Sequence, residues 1–178
     1  MNLANKYAAA IAGVLSLSSA MAGTQVLDAE LGVTTVEQLK QVLARSAKVQ
    51  EQGVNKYSGG EMYATDGAAY GIDGLNGVLY IFDSQKKLAG VIMTMNKDRF
   101  ASIYDILNKK YRVVSKHRPF VGDQYALFKP ADANIEVSAP HLSFEMEVRY
   151  LRNDLVQQFN AKSEAESAAK KKAEAKKF

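Results

Sequence analysis

The stretch Gly77-Val78-Leu79-Tyr80-Ile81-Phe82-Asp83-Ser84-Gln85-Lys86-Lys87-Leu88-Ala89-Gly90-Val91-Ile92-Met93-Thr94-Met95 decides the fold. Two runs dense in β-branched, aromatic and long apolar side chains flank a short polar link. That pattern predicts a β-hairpin buried on at least one face. The rest of the chain reads as elements packed on this hairpin or paired with its edges.

Downstream, Leu142, Phe144, Met146, Val148 and Tyr150 alternate with Ser143, Glu145, Glu147 and Arg149. Period two over that length predicts a strand over 141–150 with one wet face, and such a sheet is usually antiparallel. Upstream, Thr34 with Glu37 and Thr35 with Gln38 form two overlapping capping boxes ahead of Val36, Leu39, Val42 and Leu43, so an amphipathic helix is expected over 36–47. A second helix is expected after Asn96 as N-cap, with Phe100, Ile103, Tyr104 and Leu107 as its apolar stripe and Lys109 and Lys110 in the last turn, where the dipole favours them. It leads into a strand over 111–115, with further strands over 124–129 and 135–137.

Two regions read less regularly. Between 49 and 76 the glycines at 53, 59, 60, 67, 71 and 74 separate short strand-like pieces at 55–57, 62–64 and 69–72, which predicts a meander of short strands. After Arg152-Asn153-Asp154, a last helical piece carries Leu155, Val156 and Phe159, and residues 161–178 are almost entirely Ala, Lys, Glu and Ser. Such a tail has strong helix propensity and little to bury, so a frayed helix or a disordered extension is expected. The fold class is α+β: two amphipathic helices on the dry face of an antiparallel sheet, with the order helix, strands, helix, strands hinting at a tandem αβ pseudo-repeat over 36–95 and 97–150.

The first residues read as an export signal. Lys6 precedes an apolar run from Tyr7 to Ser19, too short to span a bilayer, and Ala20-Met21-Ala22 supplies a small-x-small cleavage pattern. Residues 1–22 are then a leader, 23–160 a single domain and 161–178 a tail, and the periplasm is the expected compartment. The chain has no cysteine, so the domain is held by its core alone, which about 155 residues can supply. Of the net charge of +4, the leader carries +1 and the tail +3, leaving the body near neutral. A basic face for nucleic acid is excluded on that distribution.

The lead-in Leu31-Gly32-Val33-Thr34 to a helix, together with strands closing on Leu75-Asn76-Gly77 and Phe82-Asp83, resembles the small helix-plus-antiparallel-sheet modules of bacterial envelope proteins, of the BamE type and the β-lactamase inhibitor proteins. The likeness covers about the first half of the chain. It departs in lacking a lipoprotein cysteine, and no functional residue carries across. The resemblance implies an envelope protein built as a helix on a sheet.

No catalytic signature stands out. His117 and His141 lack the spacing of a metal pair, no Gly-x-Ser-x-Gly elbow occurs, and no glycine-rich loop has a phosphate-binding context. Glu145 and Glu147, about 7 Å apart on a wet strand face, lack the contrasting environments of an acid and base pair. No cofactor is expected and the protein is read as a non-enzyme. Tyr57, Tyr63 and Tyr70 in the glycine-rich region, with His117, Arg118 and Phe120 in the loop over 116–123, are the candidate partner-binding residues, since tyrosine offers contact area at low entropy cost. The favoured function is a periplasmic binding protein of the inhibitor or immunity kind, its partner another envelope protein. An assembly or scaffold protein using the tail is the alternative, and a small hydrolase the third.

Overall fold

A computed structural model describes residues 23–177; the expected leader, 1–22, lies outside them. The chain opens with a short ribbon, β1 (Gln25–Val26) and β2 (Ala29–Glu30), followed by helix α1 (Val36–Leu43). Thr35 Oγ1 accepts from the Gln38 amide at 3.2 Å and Gln38 Oε1 accepts from the Thr35 amide at 2.8 Å, so the second of the two capping boxes starts the helix. The Thr34 hydroxyl is engaged elsewhere, accepting from the Glu30 amide at 2.8 Å. The helix stops short of the expected Ala47, in a turn over 44–46.

Four antiparallel strands follow: β3 (Gln50–Val54), β4 (Gly59–Asp66), β5 (Leu75–Asp83) and β6 (Leu88–Asn96). The last two are the hairpin read from the sequence, in register with Tyr80 opposite Val91 and Val78 opposite Met93. Next come α2 (Phe100–Lys110) and four more strands, β7 (Val113–His117), β8 (Gln124–Phe128), β9 (Ala133–Ala139) and β10 (Glu145–Arg152). A single eight-stranded sheet results, ordered β3-β4-β5-β6-β10-β9-β8-β7, with β6 and β10 joined at its centre.

The glycine-rich region forms two regular strands and a 3-10 turn, Gly67–Tyr70, rather than three short pieces. Its glycines are there for backbone approach. A Cβ on Gly60 would lie 2.3 Å from the Asp83 carbonyl oxygen, and one on Gly67 would lie 2.2 Å from that of Leu75. Asn96 makes no side-chain cap to α2; a 3-10 turn, Lys97–Arg99, intervenes.

Sheet pleating sorts the side chains onto two faces. Val78, Tyr80, Phe82, Val91, Met93, Ile135, Val137, Met146 and Val148 share one face, and they belong to one buried cluster with Val36, Leu39 and Leu43 of α1 and Phe100, Tyr104 and Leu107 of α2. The Tyr104 and Phe128 rings lie 5.7 Å apart. The opposite face carries Leu79, Ile81, Ile92 and Leu151 at one end and Glu136, Ser138, Glu147 and Arg149 beyond.

Helix α3 (Asn153–Ala175) covers only that apolar end. Leu155 packs with Ile81 and Ala89, the Phe159 ring stands 4.8 Å from Tyr57, and Lys56 pairs with Glu166 at 3.2 Å. Lys162 Nζ donates to the Lys56 carbonyl. The tail is thus the continuation of one helix of 23 residues, in which Leu155 alone is buried. Arg152 joins the helix start to the sheet, its Nη2 donating to Asp83 at 2.8 Å and to Asp154 at 2.6 Å.

The Arg152 guanidinium holds the Asp154 carboxyl below its ordinary value of 3.8. A carboxyl depressed in the folded state contributes stability above its unfolded value and loses it as the pH falls through the folded one. Unfolding free energy should therefore fall on acidification below about pH 4, and the Asp154→Asn variant should show a shallower fall. Urea titrations at a series of pH values check this; equal slopes in both proteins would rule Asp154 out as a contributor.

Candidate functional site

The candidate residues fall into two groups. Tyr63 is 3% exposed, with its hydroxyl donating to Glu61 at 2.7 Å and accepting from Lys40 at 3.2 Å. Tyr70 is half-buried: its hydroxyl stands 2.8 Å from both the Thr65 Oγ1 and the hydroxyl of fully buried Tyr80. Burial, aided by the Tyr70 hydrogen bond, pushes the Tyr80 hydroxyl far above the usual range for tyrosine. Tyr57 lies under α3, against Phe159. These hydroxyls and rings are occupied within the fold. Tyr70→Phe should cost about 2 kcal/mol by leaving the buried Tyr80 and Thr65 hydroxyls without their shared partner, measurable as a lowered urea midpoint; an unchanged midpoint would show that water replaces it.

His117, Arg118 and Phe120 come together at the other half of the sheet, at the end of β7 and in the loop to β8. Strand alternation turns His117, opposite Tyr125, to the open face, and Lys116, opposite Ala126, to the face under α2. The Arg118 guanidinium stacks 4.8 Å from the Tyr104 ring centroid and 5.5 Å from that of Phe100, which anchors the start of the loop on α2. Beyond it, Phe120 is fully exposed and Val121 is 67% exposed.

A neighbouring loop, between β9 and β10, presents Leu142 and Phe144, 91% and 94% exposed. Alternation assigns both to the dry face of a strand, yet β10 begins only at Glu145. The loop is pinned from beneath by Lys97, whose amide donates to the Phe144 carbonyl at 2.9 Å and whose ammonium donates to the carbonyls of Pro140 and His141, the latter at 2.7 Å. Asp123 binds the two loops together: its Oδ1 accepts from the His141 amide at 2.7 Å. Proline stands near the start of both loops, at Pro119 and Pro140, and Pro140 is the sequence signal that the strand begins late.

Compared with protein-family models, curated proteins and solved structures, the chain matches none. The reading of the site therefore rests on its own geometry.

On the open face beside Phe144, a cleft of about 190 Å³ is lined by Thr94, Ser138, Ser143, Glu145, Glu147 and Arg149, with Pro140 and Met146. Arg149 donates to Glu136 at 2.9 Å and pairs with Glu147. Glu145 accepts from Asn76 at 2.9 Å, and among the described residues no cation pairs with it. No group of three His, Asp or Glu side chains among the described residues could hold a metal ion, and no helix there is long and apolar enough to cross a membrane. What the arrangement offers is contact area: four large apolar side chains held out on two tethered loops beside a polar cleft.

Proposed function

We propose that this chain is a non-enzymatic binding protein, exported to the periplasm, that grips another envelope protein through Phe120, Val121, Leu142 and Phe144. One observation carries the reading. Two loops cross-tied by Asp123 and His141 hold Phe120, Leu142 and Phe144 almost wholly in water and leave Val121 two-thirds exposed. Isolated apolar residues on a surface are ordinary, but a cluster of aromatic and aliphatic anchors on restrained loops is what a protein interface uses. Restraint matters because ordering a free loop on binding would consume affinity.

The architecture supports the same reading. A helix and four-stranded meander occur twice, α1 with β3 to β6 and α2 with β7 to β10, and meet edge to edge at β6 and β10. We read this as a tandem of two αβ modules of the kind the envelope resemblance implies, with the anchors on the second.

The test is affinity capture from the envelope fraction, with the Phe120→Ser, Phe144→Ser double variant as control bait. A protein captured stoichiometrically by the native chain and lost by the variant supports the reading. Equal capture by both removes the loops as the contact. The scaffold alternative has its own observation, the charged length of α3, in which no residue past Leu155 is fully buried. Deleting 162–178 separates the two readings: a loop-mediated binder keeps its partner, and a tail-mediated scaffold loses it.

A further inference from the structure

The loop pair is bordered by opposite charge on its two sides. Toward α2 stand Lys116 and Arg118, their cations 5.8 and 4.8 Å from the Tyr104 ring centroid. Toward the open sheet face lies the cleft beside Phe144, lined by two carboxylates, Glu145 and Glu147, and the single guanidinium of Arg149, which also pairs with Glu136 on the neighbouring strand. In the cleft lining the carboxylates outnumber the guanidinium, and Glu145 has no cationic partner among the described residues.

Charge of both signs around an apolar ridge selects the class of partner. An anionic bilayer presents one sign of charge, so lowering Phe144 into it would bring the acidic flank against headgroups of like charge. A protein surface can match both flanks at once, and placing a like charge opposite either would cost the complex dearly. Resting on the binding reading above, we propose that the loop pair docks a folded protein with an apolar recess for Phe120, Leu142 and Phe144, beside which an arginine or lysine enters the cleft at Glu145 and Glu147.

The cleft suits such a side chain. Its carboxylates are acceptors only, and the hydroxyls of Thr94, Ser138 and Ser143 add further acceptors at its walls. A planar guanidinium can engage carboxylate and hydroxyl oxygens together, which favours arginine over lysine at the same place. Arg149, already shared between Glu136 and Glu147, leaves Glu145 as the carboxylate that an incoming cation meets first.

The probe is Nα-acetyl-argininamide, titrated into the full chain while backbone amides are followed by NMR. The neutral isostere Nα-acetyl-citrullinamide serves as control. Vesicles of phosphatidylethanolamine and phosphatidylglycerol test the lipid alternative. Expected are shifts confined to Thr94, Ser138 and the segment 143–147, half-saturating on the order of 1–10 mM for so small a ligand. Glu145→Gln with Glu147→Gln should weaken them about tenfold with the remaining spectrum unchanged, citrullinamide should give none, and the protein should not pellet with vesicles. Absent shifts, equal shifts with citrullinamide, or shifts indifferent to the double variant overturn the inference. So does pelleting with vesicles that Phe144→Ser abolishes, which would assign the ridge to lipid. If affinity capture yields a partner dependent on Phe120 and Phe144 while the cleft ignores argininamide, this inference alone fails. Binding of argininamide without any captured partner refutes the docking of a protein.

Discussion

Gly67→Ala should lower the unfolding free energy by about 3 kcal/mol, at the upper end of what overpacking costs. The added Cβ would lie 2.2 Å from the carbonyl oxygen of Leu75 and 2.5 Å from its carbonyl carbon. Both atoms belong to the first residue of β5, so relief requires backbone movement where β5 enters the sheet against β4 and β6. Side-chain rotation cannot supply it. The 3-10 turn that Gly67 opens is also fixed at its start, where Asp66 Oδ1 accepts from the Ala68 amide at 2.8 Å. In a chain of this length the loss should lower Tm by roughly 10 °C. Gly77→Ala is the matched control: its nearest contact would be the Thr65 carbonyl oxygen at 3.6 Å, so it should change stability by less than about 0.5 kcal/mol. Urea unfolding of both variants decides the matter, and equal midpoints would show that β5 can shift without loss.

The second large effect concerns binding and leaves the fold alone. Phe120→Ser with Phe144→Ser should reduce partner affinity by more than about a hundredfold, since each central aromatic anchor contributes about 2 kcal/mol to such interfaces. Neither ring is buried in the free protein, at 104% and 94% exposure. The double variant should therefore unfold at the native urea midpoint, or above it. Loss of affinity together with loss of stability would instead mean that the rings pack in the free state.

The hairpin at the centre was legible because its reason is local: two dense runs of β-branched, aromatic and long apolar residues specify the strands, and a short polar link specifies their turn. Much of β10 was legible through its alternation, and α1 through its capping residues. The glycine-rich region was not. Gly60 and Gly67 are required by carbonyls of Asp83, Phe82 and Leu75, residues distant in sequence, so their spacing resembles that of flexible turns. Tyr63 offers the same lesson, because only the crossing of α1 and β4 brings Lys40 to its hydroxyl.

At the candidate site, Phe120 was legible beside Pro119, whereas Leu142 and Phe144 were hidden by an alternation that continues through the true start of β10. What holds 140–144 out of that strand, beyond Pro140, is the pinning of the loop by Lys97, from another element altogether. The helical tail was half legible: its propensity is plain, but its docking depends on Tyr57 and Lys56 across the sheet. No local pattern announces such contacts.

The most direct test of the central claim is photo-crosslinking in the living cell, with the photoreactive residue placed at Val121 or Leu142 on the loops, and at Val42 or Ile106 as exposed controls on α1 and α2. Crosslinks from both loop positions to one and the same envelope protein, with none from the helices, is the predicted result. Crosslinking from the helices alone, or no adduct from either loop while α3 positions give one, would contradict the account and move the contact away from the loop pair.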